Sequence, residues 1–295
     1  MEKGSSLADF GTRTLDDEQD VFEHNAWDNV EFDEEMEQEV LEKIKTQTEF
    51  KVSDEQRESY DTNPANYWNQ FYAKNTNKFF KDRQWLKIEF PELFENLPRN
   101  SKEVFKICEI GCGAGNTVFP FLEQANDANV FAYACDYSSE AVDVVKSNEL
   151  YDTTRCKALV FDITNPNIPA DIELGTLDVC ICVFVLSAIH PRDWETAAEN
   201  IFKMLKPGGL LLFRDYGRYD LAQVRMKKNR LLEDNFYCRG DGTRVYFFTN
   251  EELEKMFFKF EIIQNAADKR LIVNRLKKVK MYRNWLQGKF RKPLI

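Results

Sequence analysis

The sequence predicts an α/β fold around a mostly parallel sheet of seven strands, and three observations carry that expectation. Past Ser101, short apolar runs alternate with helical patterns, as parallel strands joined by crossover helices require. The first run, "VFKICEI" at 104–110, leads directly into "GCGAGN", with Gly111, Gly113 and Gly115 at every second position. The next run ends in an acid, Asp136, 21 residues after Gly115.

The remaining strands are expected at 129–136, 157–163, 177–186, 209–216, 258–267 and 277–290, with helices near 116–125, 138–147, 193–205, 219–231 and 250–257. "KPGG" at 206–209 reads as a helix end followed by a strand. "NFYCRGDGTRVYFF" at 235–248 is apolar and aromatic on both sides of a GDGT turn, the pattern of an inserted hairpin. Ahead of this domain, residues 61–100 form a segment dense in aromatic and basic side chains, with Tyr67, Trp68, Phe71 and Tyr72 at helical spacing. Residues 1–60 read as an acidic, largely disordered arm with one short amphipathic helix near 34–44.

Composition excludes several classes. The longest apolar run, 179–189, is too short to span a bilayer, and no membrane association is expected. Seven cysteines without repeated spacing suit reduced thiols in the cytosol or nucleus, and the two histidines leave no pattern for a metal site. The net charge of −10 is unevenly spread: residues 1–60 hold 19 acids and 6 bases, whereas residues 269–295 carry ten Lys or Arg and no acid. That asymmetry fits either an acidic arm beside a phosphate-seeking basic face or an ordinary solvated final segment.

A strand running into glycines and then a helix presents backbone amides to a ligand at close range. Dinucleotide sites read G-x-G-x-x-G and face a pyrophosphate. Here the spacing is G-x-G-x-G with Glu109 just before it. An acid there repels pyrophosphate and suits a cofactor carrying an ammonium and a sulfonium, which points to S-adenosylmethionine. Asp136 is placed to accept from the ribose hydroxyls, Asp162 to meet the adenine amine, and "CVFVLSAIH" to floor the methionine end. Helix capping is the structural alternative for both aspartates.

With those pieces in order, "EIGCGAGN", "ACDYS", "FVLSAIHP", "LKPGG" and "FRDYGRYD" together resemble class I, seven-stranded methyltransferases. "WNQFYAKNTNKFFKDRQWL", "YDTTRC", "LFRDYGRYDLAQVR" and "NFYCRGDGTRVYFFT" resemble, more narrowly, the eukaryotic methyltransferase-like tRNA 3-methylcytidine enzymes, over about residues 64–293. The ending "VNRLKKVKMYRNWLQGKFRKPL" is most similar to the branch acting on threonine and arginine tRNAs. The resemblance implies a Rossmann-like domain topped by an RNA-binding module, S-adenosyl-L-methionine as cofactor, and cytidine 32 of the anticodon loop as target. It also implies that Trp68 and Tyr72 close over the cofactor and that Gly111, Asp136, Asp162 and Val183 form its wall. A protein or small-molecule methyltransferase, or a non-catalytic RNA adaptor, is the competing reading, and a protein partner for tRNA selection fits the first.

Cytosine N3 carries an in-plane lone pair, so positioning and charge management are the main demands. Asp215, at the end of the fifth strand, is the candidate carboxylate for the ring charge, and Tyr216 beside it for stacking or hydrogen bonding. Phe79 and Phe80 are candidate wedges. Lys81, Arg83, Arg214, Arg239, Arg244, Arg275, Lys277 and Lys278 are the candidate RNA contacts, with solvated surface charge as the alternative for each. His190 reads as a structural cap.

Overall fold

The computed structural model describes residues 10–16, 19–95, 97–99 and 101–294. In chain order the elements begin with β1 (Ala26–Asp28), α1 (Glu34–Thr48), α2 (Asp54–Thr62), α3 (Pro64–Asn75), α4 (Leu86–Glu89) and α5 (Glu92–Glu95). The nucleotide-type half follows: β2 (Phe105–Ile110), α6 (Val118–Gln124), β3 (Val130–Asp136), α7 (Ser139–Lys146), β4 (Cys156–Val160), β5 (Leu177–Val183), α8 (Trp194–Met204) and β6 (Leu205–Tyr216). Last come α9 (Leu221–Val224), β7 (Leu231–Glu233), β8 (Phe236–Cys238), β9 (Arg244–Tyr246), α10 (Asn250–Met256), β10 (Glu261–Asn274) and β11 (Val279–Arg291).

The main sheet has the order β1-β10-β11-β6-β5-β2-β3-β4. Its five strands from β6 to β4 are parallel, and β11, β10 and β1 add antiparallel to them. Strand alternation explains why both faces are apolar. Cys108, Ile110, Cys180 and Cys182 enter one core with α8 and α10, while Ile107, Val179, Ile181 and Val183 enter the other with α6 and α7. Ser138 caps α7 through the Ala141 N–H, and Thr249 with Glu252 forms a capping box on α10.

Four expectations are corrected here. The sheet has eight strands, because Ala26–Asp28 of the acidic arm pairs with Ile272, Leu271 and Arg270 of β10. The described residues of the arm, 10–16 and 19–60, therefore include a strand and helices built onto the fold. Trp27 is 1% exposed, packs on Leu271 and Val273, and donates from Nε1 to the Val21 carbonyl at 2.7 Å. Residues 1–9, 17 and 18 of the arm lie outside the described residues. The helix expected over 219–231 is reduced to four residues, because Asn229 takes a positive φ of 58° and Leu231 and Leu232 are buried in and beside the small sheet β7-β8-β9. "KPGG" lies within β6 rather than ending a helix, with Gly208 supplying a φ of 78° and α8 closing at Met204. The expected hairpin is present as β8 and β9.

Candidate active site

A cavity of about 570 Å³ opens at the carboxyl ends of the parallel strands, within the range of small-molecule sites. One part of its wall is the glycine turn. Gly111, Gly113 and Gly115 have φ of 64°, 53° and 85°, conformations that a side chain rarely adopts. Gly113 is also closed sterically: a Cβ there would lie 2.4 Å from the Tyr72 hydroxyl. Tyr72 and Trp68, one turn apart on α3, stack at 6.0 Å between centroids and line the cavity.

Asp136 ends β3 and accepts from the Gly113 N–H through Oδ2 and from the Ser138 N–H through Oδ1, both at 2.9 Å. Burial pushes its pKa up to about 6, against the pull of those amide donors. Asp162 lies beyond the end of β4, exposed, with Oδ1 holding Thr164 in a turn. It lines the cavity, as do Gly111, Gly113 and Val183. Gly115 instead packs against Phe119.

Glu109 is not at the cavity surface, which corrects its expected contact with a cofactor. It is 1% exposed; Oε2 accepts from the Val118 N–H at 3.0 Å, at the start of α6, and Oε1 faces Arg83 Nη1 at 3.4 Å. Burial raises its pKa to about 7 despite Arg83. Arg83 is corrected with it: the guanidinium turns inward to Glu109, Thr117 and the Val183 carbonyl, lining the cavity instead of facing outward to phosphate.

Asp215 is likewise buried beneath the cavity and does not line it. Its Oδ2 accepts from the Ser187 N–H at 2.9 Å and its Oδ1 from the Tyr216 N–H at 2.8 Å, while burial raises its pKa to about 6. A carboxylate so engaged braces the loop after β5. Tyr216 does line the cavity, 4.9 Å from the ring of Phe184, with the Arg239 guanidinium 5.5 Å from its own.

Among the expected RNA contacts, Phe79 and Phe80 are 60% and 40% exposed at the cavity, packed on each other and on Phe71, and Lys81 stands beside them. Arg275, Lys277 and Lys278 are exposed in and beside the turn joining β10 to β11, away from the cavity. Arg214 is corrected: it is buried, bonded to Asp268 and Gln287, and sandwiched between the indoles of Trp85 and Trp285 at 5.4 and 5.1 Å. Arg244, 7% exposed, lines the cavity while paired to Asp61 at 3.0 Å. Phe184 and Val185, within the expected floor segment "CVFVLSAIH", line the cavity; the walls missed from sequence are Trp85 and Trp285, beside Arg283, which Asp220 holds at 2.8 Å. Their signal was the aromatic content of "DRQWL" and "YRNWLQG", which core packing explains equally well.

The parallel sheet, the glycine turn and the acid at the end of the next strand define a class I S-adenosylmethionine-dependent methyltransferase. Residues 108–211 match the family model described as a methyltransferase domain. A solved S-adenosylmethionine-dependent methyltransferase from Anabaena variabilis shares the fold, with a TM-score of 0.56 at 17% identity, over 79% of this chain and 96% of that one. The chain belongs to the tRNA N(3)-methylcytidine methyltransferase family. It is 52% identical to the Schizosaccharomyces pombe tRNA N(3)-methylcytidine methyltransferase trm140 over 96% of this chain and 92% of the relative. It is 46% identical to tRNA N(3)-cytidine methyltransferase METTL2 of Danio rerio, over 97% and 89%. A third relative, 48% identical, is the tRNA(Thr) (cytosine(32)-N(3))-methyltransferase of Saccharomyces cerevisiae, of which the match covers 46%.

Proposed function

We propose that this protein methylates N3 of cytosine 32 in threonine tRNA, and in arginine tRNAs through the branch its C-terminal segment resembles. The observation that carries the reading is 52% identity over nearly the whole length of a tRNA N(3)-methylcytidine methyltransferase. The cavity supports it, because its two halves differ in chemistry. One half, with Gly111, Gly113, Asp136, Asp162, Val183 and the Trp68–Tyr72 cover, suits a nucleoside carrying an amino-acid tail. The other, with Phe184, Tyr216, Trp85, Trp285, Arg239 and Arg283, suits a planar base attached to a phosphate.

Bound S-adenosylmethionine supplies a methyl group made electrophilic by its sulfonium. In this reading Asp136 holds the ribose hydroxyls and the glycine turn admits the cofactor backbone closely. Trp68 and Tyr72 exclude water from above. The cytosine reacts through its N3 lone pair, so no general base is needed, and the ring becomes cationic. Phe79 and Phe80, exposed at the rim, would fill the gap an extruded base leaves. Arg275, Lys277 and Lys278 would track the RNA backbone, and seven free cysteines, all buried, support a reducing compartment such as the cytosol. Among the described residues no helix is long and apolar enough to cross a membrane.

The test is methyl transfer from labelled S-adenosylmethionine to threonine tRNA by the purified protein, with nucleoside analysis of the product. The expected result is 3-methylcytidine from the native tRNA and none when cytosine 32 is replaced by uridine. Methylation at another nucleotide, or of protein alone, would overturn the assignment.

A further inference from the structure

β5 ends at Val183, and the next residue breaks the strand in an unusual way. Phe184 has a φ of 59°, the left-handed region that bulky side chains avoid. Seven non-glycine residues among those described have positive φ, and of these Phe184 alone lines the cavity. In a continuing strand Val183, Phe184 and Val185 would point to alternate faces. Here Val183 and Phe184 both pack on the core beside α6 and α7 while Val185 packs on the opposite one, and all three line the cavity.

The turn is held from both ends. The Phe184 N–H donates to the Arg214 carbonyl at 2.8 Å, and the Ser187 N–H donates to Asp215 at 2.9 Å. On one side Val185 fills the space over Gly111, where an added Cβ would meet it at 2.4 Å. On the other, the Phe184 ring is tilted 47° against Tyr216. Phe184 thus stands where the glycine-turn half of the cavity meets the tryptophan and arginine half. Asparagine or glycine would hold this backbone without strain, so the position of a phenylalanine calls for a use of its ring.

Resting on the reading above, we propose that the Phe184 ring is the platform on which the target cytosine lies while N3 is methylated. A neutral cytosine stacks on the ring through dispersion. As the N3–methyl bond forms and the sulfur–methyl bond breaks, the sulfur takes the electron pair and the cytosine ring acquires positive charge. The negative face of an aromatic ring attracts that charge more than it attracts the neutral base. The contact therefore strengthens toward the transition state, which raises turnover and not only binding.

The experiment compares wild type, Phe184→Leu, Phe184→Asn and Phe184→Tyr in the full chain. It measures kcat and KM with threonine tRNA, S-adenosylmethionine affinity and thermal stability. Leucine keeps the bulk and removes the face, so kcat should fall roughly 10- to 100-fold with cofactor affinity within about twofold of wild type. Tyrosine should recover most of the loss. Asparagine, suited to the left-handed backbone, covers the case in which leucine does not fold, and should show the same loss of kcat. Wild-type kcat in a folded leucine or asparagine variant would overturn the proposal, as would an equal loss of cofactor affinity, which would make Phe184 part of the cofactor wall. Absence of 3-methylcytidine with wild type would instead defeat the proposed function.

Discussion

Arg83 Nη1 lies 3.4 Å from Glu109 Oε1, and this pair stands behind the glycine turn with Glu109 sealed from solvent. Glu109 titrates near 7 in the folded chain against an ordinary value of 4.5, because burial outweighs the attraction of Arg83. A carboxyl raised in the native state binds more protons there than in the unfolded chain, so its contribution to stability declines as pH rises from about 4.5 toward 7. Removing the cation extends that decline upward. Arg83→Met should therefore lower stability little at pH 5.5 and, at pH 8, by as much as the ~3–5 kcal/mol of a broken buried pair. Thermal melts at the two pH values check this, and an equal loss at both would place the effect in packing.

Cofactor affinity should fall in acid through Asp136. Its pKa of about 6 reflects burial, with Gly113 and Ser138 as amide donors and Tyr72, Cys112 and Glu109 as its titratable neighbours. Ribose hydroxyls donate best to the ionised form, so binding draws on the deprotonated population. Calorimetric titration should show S-adenosylmethionine affinity flat above pH 7 and weakening by up to about tenfold per unit below pH 6. Asp136→Asn should bind weakly and lose that acid limb.

Asp215 is expected to act through the loop it braces. Asp215→Ala leaves the Ser187 and Tyr216 N–H groups without their acceptors and should cost about 1–3 kcal/mol for each that stays buried and dry. Asp215→Asn keeps one carbonyl acceptor and should fold with cofactor affinity near wild type, while the kcat for tRNA drops as Phe184 and Tyr216 shift. Full turnover in a folded Asp215→Asn would show that the loop holds its shape without the carboxylate.

The basic turn between β10 and β11 should govern RNA affinity alone. Reversing Arg275, Lys277 and Lys278 to glutamate should weaken tRNA binding and flatten its dependence on salt by about 0.7–0.9 log units per lost phosphate contact. S-adenosylmethionine affinity should not change. Filter binding at several salt concentrations reads both effects, and an unchanged slope would return these residues to ordinary solvated charge.

The acidic arm should matter to stability through Trp27. Its side chain fills the pocket over Leu271 and Val273, so Trp27→Ala should cost roughly 3–5 kcal/mol if β1 stays docked, and less if the strand detaches. Denaturant unfolding followed by tryptophan-independent circular dichroism measures it; a change under about 0.5 kcal/mol would show the strand to be marginal.

Periodicity carried most of the sheet. β2, β3 and β5 fall within a few residues of the expected runs, since strands buried on both faces must be apolar throughout, and the partly exposed β11 is found close to its expected run as well. β1 escaped notice because "AWD" is only three residues long and sits in an acid-rich stretch with no strand-like alternation. Its partner strand, more than 240 residues later, supplies the burial.

The amino-acid sequence by itself determined the glycine turn, the acids after it, the aromatic pair on α3 and the charge asymmetry, because each depends on residues close together in the chain. Which charged groups face the cavity was decided only by tertiary structure. Glu109, Arg83, Arg214 and Asp215 are each drawn inward by partners 9 to 73 residues away. A buried charge must find a partner or change its protonation, and the chain positions of these acids and arginines do not reveal which partner lies across the fold. The turn at Phe184 belongs to the same class: its dihedral is held by bonds to β6 and by Asp215, contacts that exist only once the strands are side by side.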